Sequence, residues 1–270
     1  MPELPEVETV KNTLKKQIIG KTISLVSVYW ENIIAYPNIE MFAKQIKNQT
    51  INDIKRRGKW LMIELDDYYL LSHLRMEGKY FIKNKDKPKE KHEHVIFTFS
   101  DGSDLRYHDT RKFGKMYLVN KEDVYKVKPL SDLGLEPWDK NLNATYLKSK
   151  LNKKPIKTEL LDQSIIVGIG NIYADEILFL SKISPLTQAN DLGEKDLKNI
   201  IKNTKDVLEK AIHYGGTTVK SYTSSEGVHG RFQNHLLVHT KEKCPICNQK
   251  IEKITVGGRG TYYCKNCQKK

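Results

Sequence analysis

No cysteine occurs before Cys244 in this 270-residue chain. A disulfide framework needs cysteines spread along the chain and an oxidising compartment. The four present form two Cys-x-x-Cys pairs near the end and read instead as a metal site. No apolar run approaches the roughly 18 residues of a membrane helix. No charged-then-apolar leader precedes a cleavage site, so the reading expects a soluble, cytoplasmic chain. Acids are short as well: 33 Asp and Glu face 46 Lys and Arg, a net charge of +13 in a chain only 39% hydrophobic. Such an excess points to a polyanionic partner, nucleic acid first and an anionic membrane second. A dinucleotide fingerprint is also missing, because no strand leads into a correctly placed third glycine after Gly168 and Gly170.

What is present begins at Met1-Pro2-Glu3-Leu4-Pro5-Glu6. If the initiator Met is removed, Pro2 becomes a free secondary amine, a nucleophile towards carbonyl carbons whose adduct is a cationic iminium. The competing reading is local: Pro5 opens a helix whose first turn carries acids. Leu4, Val7, Val10, Leu14 and Ile18 recur at helical spacing up to Gly20, which would anchor Pro2 and Glu3.

From Lys21 to Asn120 the period falls to two. Strands are expected at Thr22–Tyr29, Ile51–Arg56, Trp60–Leu65, Tyr68–Leu74, His94–Phe99, Asp104–Tyr107 and Lys115–Val119, with a helix at Ile39–Lys47. Close spacing of short strands predicts a sandwich or barrel. Lys83–His92, nearly all charged, reads as a solvated loop with His92 a candidate phosphate contact. Lys121–Thr145 reads as a linker. Helices are then expected at Leu147–Leu161, Asn171–Lys182 and Leu192–Tyr214. A cleft between a β-rich and a helical half would seat a duplex.

Cys244-x-x-Cys247 and Cys264-x-x-Cys267 supply four thiolates to one structural zinc ion, with a β-hairpin over Lys250–Val256 and Gly260–Tyr263 between them. Arg259, flanked by glycines at its turn, suits close bidentate contact with phosphate or base, although an ordinary turn arginine looks the same. Gly168-Ile169-Gly170-Asn171 offers backbone N–H groups before a helix, an anion site or simply a tight turn. Arg56-Arg57-Gly58-Lys59 lies between two strands. His73-Leu74-Arg75-Met76-Glu77-Gly78 and His108-Asp109-Thr110-Arg111-Lys112-Phe113-Gly114 each set a bulky apolar residue beside arginine. Met76 and Phe113 are wedges for a base step or core residues.

These stretches together resemble the formamidopyrimidine-DNA glycosylases, over nearly the whole length. The likeness rests on Met-Pro-Glu-Leu-Pro-Glu-Val-Glu-Thr, Arg-Arg-Gly-Lys, His-Leu-Arg-Met-Glu-Gly, Asp-x-Arg-Lys-Phe-Gly, Gly-Ile-Gly-Asn-Ile-Tyr-Ala-Asp-Glu, Gly-Arg-Gly-Thr-x-Tyr-Cys and the four cysteines. The resemblance implies an α+β multi-domain fold: an N-terminal β-sandwich with a leading helix (1–130), a helix–two-turns–helix domain (131–225) and a C-terminal zinc finger (226–270). It implies base-excision repair of duplex DNA holding oxidised purines or abasic sites, by a monomer acting as glycosylase and lyase. Pro2 would attack C1′, Glu3 would protonate the ring oxygen, and Lys59 would bind phosphate and assist at the base. Met76, Arg111 and Phe113 would fill the space left by the flipped base. Asn171 and Arg259 would grip flanking phosphates, supported by Lys157, His73 and Tyr173, and Glu6 would assist or cap the helix. Thr217–Gln233, rich in Gly, Ser and Thr, would close over the base. The competing readings are endonuclease VIII-like glycosylases, which remove oxidised pyrimidines, and a non-catalytic zinc-ribbon DNA-binding module.

Overall fold

Leu4, Val7, Val10, Leu14 and Ile18 are all buried along one face of helix α1 (Leu4–Ile18) in a computed structural model of the chain. The structure describes residues 2–217 and 230–269, so most of the Thr217–Gln233 loop lies outside the described residues. The chain packs into two units. One comprises Met1–Pro2, Glu6–Ser131 and Thr217–Gly230; the other comprises Glu3–Pro5, Asp132–Gly216 and Arg231–Lys270. The division falls between Pro2 and Glu3, and again inside the first turn of α1.

The first unit carries strands β1 (Ile23–Val28), β2 (Ile34–Tyr36), β3 (Asp53–Arg57), β4 (Trp60–Glu64), β5 (Tyr68–His73), β6 (Lys79–Asn84), β7 (Glu93–Phe99), β8 (Ser103–His108) and β9 (Lys115–Asn120), with helix α2 (Ile39–Ile46). Two sheets form, in the orders β1-β7-β8-β6 and β2-β9-β5-β4-β3. Val7, Val10 and Leu14 of α1, Phe42 of α2, Leu61 and Leu70 of one sheet and Phe97 and Leu105 of the other share one core. That is the expected sandwich, with its seven expected strands present to within a residue or two. Strands β2 and β6 were not anticipated. Both lie at sheet edges, where Lys79, Lys83 and Asn84 meet water and the alternation is lost. The solvated loop is accordingly shorter than Lys83–His92.

The second unit carries helices α3 (Ala144–Lys150), α4 (Ile156–Leu160), α5 (Asn171–Leu180) and α6 (Glu194–His213), then the hairpin of β10 (Glu252–Val256) and β11 (Arg259–Tyr263). The single helix expected over Leu147–Leu161 is two. Pro155 has no N–H to give and disfavours helical geometry in Lys154, so the chain leaves α3 at Leu151 and restarts at Ile156. Tyr173, Ile177 and Leu178 of α5 pack against Leu197, Ile200 and Leu208 of α6 in this unit's core. Lys121–Thr145, expected as a linker, holds two short 3-10 turns, Lys121–Asp123 and Leu130–Asp132. Among the described residues, no helix is long and apolar enough to cross a membrane.

Candidate functional site

The anion site at the start of α5 is filled from within. The Glu3 carboxylate accepts N–H groups from Gly170 (2.7 Å), Ile172 (2.9 Å) and Tyr173 (3.4 Å). These are the orphan donors of a helix N-terminus, and the macrodipole favours the negative charge there. Gly170 is required because a Cβ there would lie 2.2 Å from Glu3 Cδ. Gly168, at φ +92°, would meet Leu4 at 2.4 Å, and its carbonyl accepts the Leu4 N–H at 3.1 Å. The two glycines therefore hold Glu3 and Leu4, and Pro2, itself buried, is the next residue in the chain.

Lys59 sits in the β3–β4 turn after Gly58, which adopts φ +55°, and its side chain is buried. His73 ends β5. Its Nδ1 accepts the Arg75 N–H at 3.0 Å, which puts the proton of the neutral ring on Nε2. Burial, with the Arg75 and Lys59 charges, pushes its pKa down to about 3.

Met76 and Phe113 are not core residues: Met76 is partly exposed and Phe113 is 50% exposed. One buried carboxylate organises the Arg111–Phe113 loop. Asp109 accepts N–H groups from Arg111 (3.0 Å), Phe113 (2.9 Å) and Gly114 (2.9 Å), and the Tyr107 hydroxyl at 3.3 Å. Tyr107 also fixes both glycines that follow the wedges, since a Cβ on Gly78 or Gly114 would fall 2.3 or 1.8 Å from its hydroxyl. The Met76 and Phe113 loops are thus built against one ring. His92 is partly exposed and lies edge-on to His108, centroids 5.5 Å apart. Glu6 is buried and accepts the Thr217 N–H (2.7 Å) and hydroxyl (3.1 Å), holding the start of the segment that runs on to Gln233.

Gly257 and Gly258, both at positive φ, make the two-residue turn between Val256 and Arg259 that a right-twisted hairpin prefers. Arg259 is exposed as the first residue of β11. Lys157, expected in support of the phosphate contacts of Asn171 and Arg259, has a fully buried ammonium. It donates to Asp175 (2.7 Å), Thr261 Oγ1 (2.8 Å) and the Gly260 carbonyl (3.2 Å). Those three bonds use all three of its N–H groups. Burial lowers its pKa, opposed by Asp175 and Glu3. Asn171 donates to the same Gly260 carbonyl at 2.9 Å, while its Oδ1 is buried without a partner. Tyr173 is buried against Phe232. Lys157 and Tyr173 therefore belong to the support of the hairpin and the Glu3 cradle, not to the surface.

Asp175 and Glu176, quoted in a motif but given no role from sequence, complete that support. Asp175 also accepts the Tyr262 N–H (3.1 Å) and faces His239 Nδ1 (2.7 Å). Glu176 takes three N–H groups from Leu237, Val238 and His239, and its burial raises its pKa. Asp109 was missed in the same way. For Asp109 the available signal was an acid followed by Thr110 in a short stretch closed by Gly114, where backbone donors need an acceptor.

The four cysteine sulfurs lie within 4.8 Å of one another, with Cys244–Cys267 at 3.8 Å and Cys247–Cys264 at 3.5 Å. A disulfide is far shorter, and a zinc tetrahedron with Zn–S bonds of about 2.3 Å has S···S edges of about 3.8 Å. One zinc ion fits this donor set, with no ligand position left open.

Residues 1–116 match the family model for the formamidopyrimidine-DNA glycosylase N-terminal domain, residues 133–223 that for its H2TH domain, and residues 241–270 the zinc finger found in FPG and IleRS. The formamidopyrimidine-DNA glycosylase of Bacillus subtilis (strain 168) is 48% identical, with 100% of both chains covered. That of Bacillus licheniformis is 49% identical over the same shares. A mutant Lactococcus lactis FPG in complex with a Fapy-dG containing DNA superposes with a TM-score of 0.93 at 39% identity, 100% of each chain being covered. MutM in complex with carbocyclic 8-oxo-G containing DNA gives 0.92 at 40%, with the same coverage.

Proposed function

Because the chain belongs to the formamidopyrimidine-DNA glycosylases, we propose that it excises oxidised purines from duplex DNA and then cuts the abasic strand. Relatives captured on Fapy-dG, 8-oxo-G and abasic DNA support this substrate class. The observation that carries the reading is the Glu3 cradle. Three backbone donors and two obligatory glycines serve to hold one carboxylate next to Pro2 in the chain.

With Met1 removed, the Pro2 nitrogen lone pair attacks C1′. The C1′–N bond to the damaged base breaks, the base leaving with the electron pair and taking a proton from water. The Pro2 nitrogen, an ammonium once it has attacked, gives its proton to the Glu3 carboxylate, which passes that proton to the ring oxygen as the C1′–O4′ bond breaks, giving an iminium at C1′ that is already cationic and needs no further protonation. A carboxylate held rigidly beside that cation stabilises it electrostatically. Loss of the C2′ proton then sends electrons into the iminium as the 3′ phosphate leaves (β-elimination). The 5′ phosphate follows by δ-elimination, and water frees Pro2.

Lys59 binds a phosphate and assists at the base, with neutral His73 donating through Nε2–H. Met76, Arg111 and Phe113 fill the stack and meet the estranged base, and His92 adds a phosphate contact. Asn171 and Arg259 hold flanking phosphates. Lys157, Tyr173 and Glu6 act one step back, on the hairpin, the cradle and Thr217. The zinc ion, when bound by Cys244, Cys247, Cys264 and Cys267, is structural and keeps the Arg259 hairpin folded. The domain division 1–130, 131–225 and 226–270 and a cytoplasmic, nucleoid-associated location belong to the same reading.

The test is Glu3→Gln. It keeps the size of the side chain but removes the charge and the proton relay and turns one accepting oxygen into an amide donor, so excision of 8-oxoguanine is expected to be lost with duplex binding retained. Wild-type excision by this variant would contradict the proposal.

A further inference from the structure

Among the described residues, six cations of the first unit lie over aromatic rings, and three of these concern the Arg111–Phe113 loop and the strands beside it. Lys89 Nζ lies 4.7 Å from the Tyr29 ring centroid, Lys112 Nζ 3.9 Å from that of Trp30, and the Arg111 guanidinium 4.7 Å from that of Phe113. Two backbone hydrogen bonds and one from a histidine ring join their segments into one strip. Tyr29 donates its N–H to the His94 carbonyl (2.8 Å), His94 Nε2 meets the Asp109 carbonyl (3.0 Å), and Asp109 donates its N–H to the His92 carbonyl (3.0 Å). Arg111 and Lys112 follow two and three residues later.

Three of the nearby acids are already engaged, while Glu31, beside Trp30, is exposed. Glu90 pairs with Lys83, Glu93 with Lys83 and Arg106, and the Asp109 carboxylate with the loop N–H groups. Among the described residues, Lys89, Lys112 and Arg111 have no carboxylate within ion-pair distance, whereas Lys11, Lys15 and Lys55 of the same unit each have one. An exposed cation–π contact is weak, so a phosphate can share or take the ammonium at little loss. Lys112 is also held at φ 59°. That is a left-handed conformation which a lysine adopts only under constraint. The Asp109 grip on its neighbours imposes that conformation and leaves the ammonium over Trp30.

We propose that Tyr29, Trp30, Lys89 and Lys112 form an accessory DNA contact, continuous with the Arg111–Phe113 loop, that grips the backbone of the lesion-free strand. The inference rests on the proposed function, in which Arg111 and Phe113 meet the base opposite the lesion. Lys112 lies between them in the chain and the strip continues from it, so the strip follows that same strand. Two ammonium groups neutralise two phosphates there, and the Tyr29 and Trp30 rings pack against the sugars.

The experiment is fluorescence anisotropy on a duplex bearing a tetrahydrofuran abasic analogue, between roughly 50 and 200 mM salt. Lys89→Ala and Lys112→Gly are each expected to lower the slope of log affinity against log salt by about 0.9, and the double variant by about twice that. Lys89 is exposed and glycine accepts the Lys112 backbone, so neither change threatens the fold. Shortening the lesion-free strand on one side is expected to bring the wild type to the slope of the double variant, and to leave the double variant unchanged. Wild-type slopes in all the variants would overturn the accessory contact. A match obtained only by shortening the damaged strand would overturn its assignment to the lesion-free strand. A wild-type protein without affinity for the abasic duplex would instead overturn the proposed function, and this extension with it.

Discussion

Asp109 and His73 show how single side chains prepare the first unit before DNA arrives. Asp109 replaces solvent for three backbone donors. Leaving such groups unpaired costs about 1–3 kcal/mol each, which is why the Arg111–Phe113 loop holds an unusual shape. His73 is kept neutral. Its folded pKa of about 3 lies below the ordinary 6.5, so between those values the unfolded chain binds more protons than the folded one. The stability from the neutral ring is therefore complete above about pH 6.5 and is lost progressively as the pH falls towards 3. One proton's difference changes stability by at most about 1.4 kcal/mol per pH unit. Burial lowers His94 and His108 in the same direction. Denaturation from pH 7.5 down to 4 should show the wild type losing stability relative to His73→Gln, in which the titrating ring is gone while His94 and His108 remain. Parallel curves for the two proteins would refute a buried, neutral His73.

At the scale of elements, the decisive pieces are the N-terminus of α5 and the β10–β11 hairpin. Gly170→Ala places a methyl group on the Glu3 carboxyl, so either the carboxylate or the helix start must move. A displacement of about 1 Å lowers catalysis on the order of 100-fold, so single-turnover excision should fall to that degree while thermal stability stays within a few degrees. Wild-type excision by Gly170→Ala would show that Glu3 needs no fixed seat. Cys264→Ser opens the zinc tetrahedron. The expected outcome is loss of bound zinc and weaker duplex binding through Arg259, read by metal analysis and anisotropy together; full zinc content with full affinity would contradict it.

Much at this scale was legible in the sequence. Periodicity showed α1, seven strands and the two long helices, because each buries one regular apolar face. The Cys spacing showed the metal hairpin. The edge strands β2 and β6 were hidden because an edge need not alternate, and the break at Pro155 was visible but overridden by the apolar pattern around it. The glycines at Gly168 and Gly170 read correctly as an anion site. Their anion, however, is Glu3, 167 residues before Gly170, a pairing that local pattern does not contain. The burial of Lys157 was hidden for a related reason. In a chain carrying +13, every lysine looks like a surface charge, and only the fold shows which one is buried against Asp175.

At the scale of the whole molecule, the residues assigned to chemistry and grip are divided. Pro2, Lys59, His73, Met76, Arg111 and Phe113 belong to one unit, and Glu3, Asn171 and Arg259 to the other. Each unit prepares its own set: the first through the Tyr107 post and the Asp109 loop, the second through the Glu3 cradle and the Lys157–Asp175 support. The positive charge then supplies the common attraction to a polyanion. None of this requires a free amine on Pro2 unless the chain is an enzyme that forms an iminium. Borohydride trapping on an oligonucleotide containing 8-oxoguanine tests that claim most directly. The account predicts a covalent protein–DNA adduct from zinc-loaded wild-type protein, abolished by Pro2→Gly or by a tag that blocks the N-terminus. The absence of an adduct from the intact protein, or an adduct that survives the blocked terminus, would contradict it.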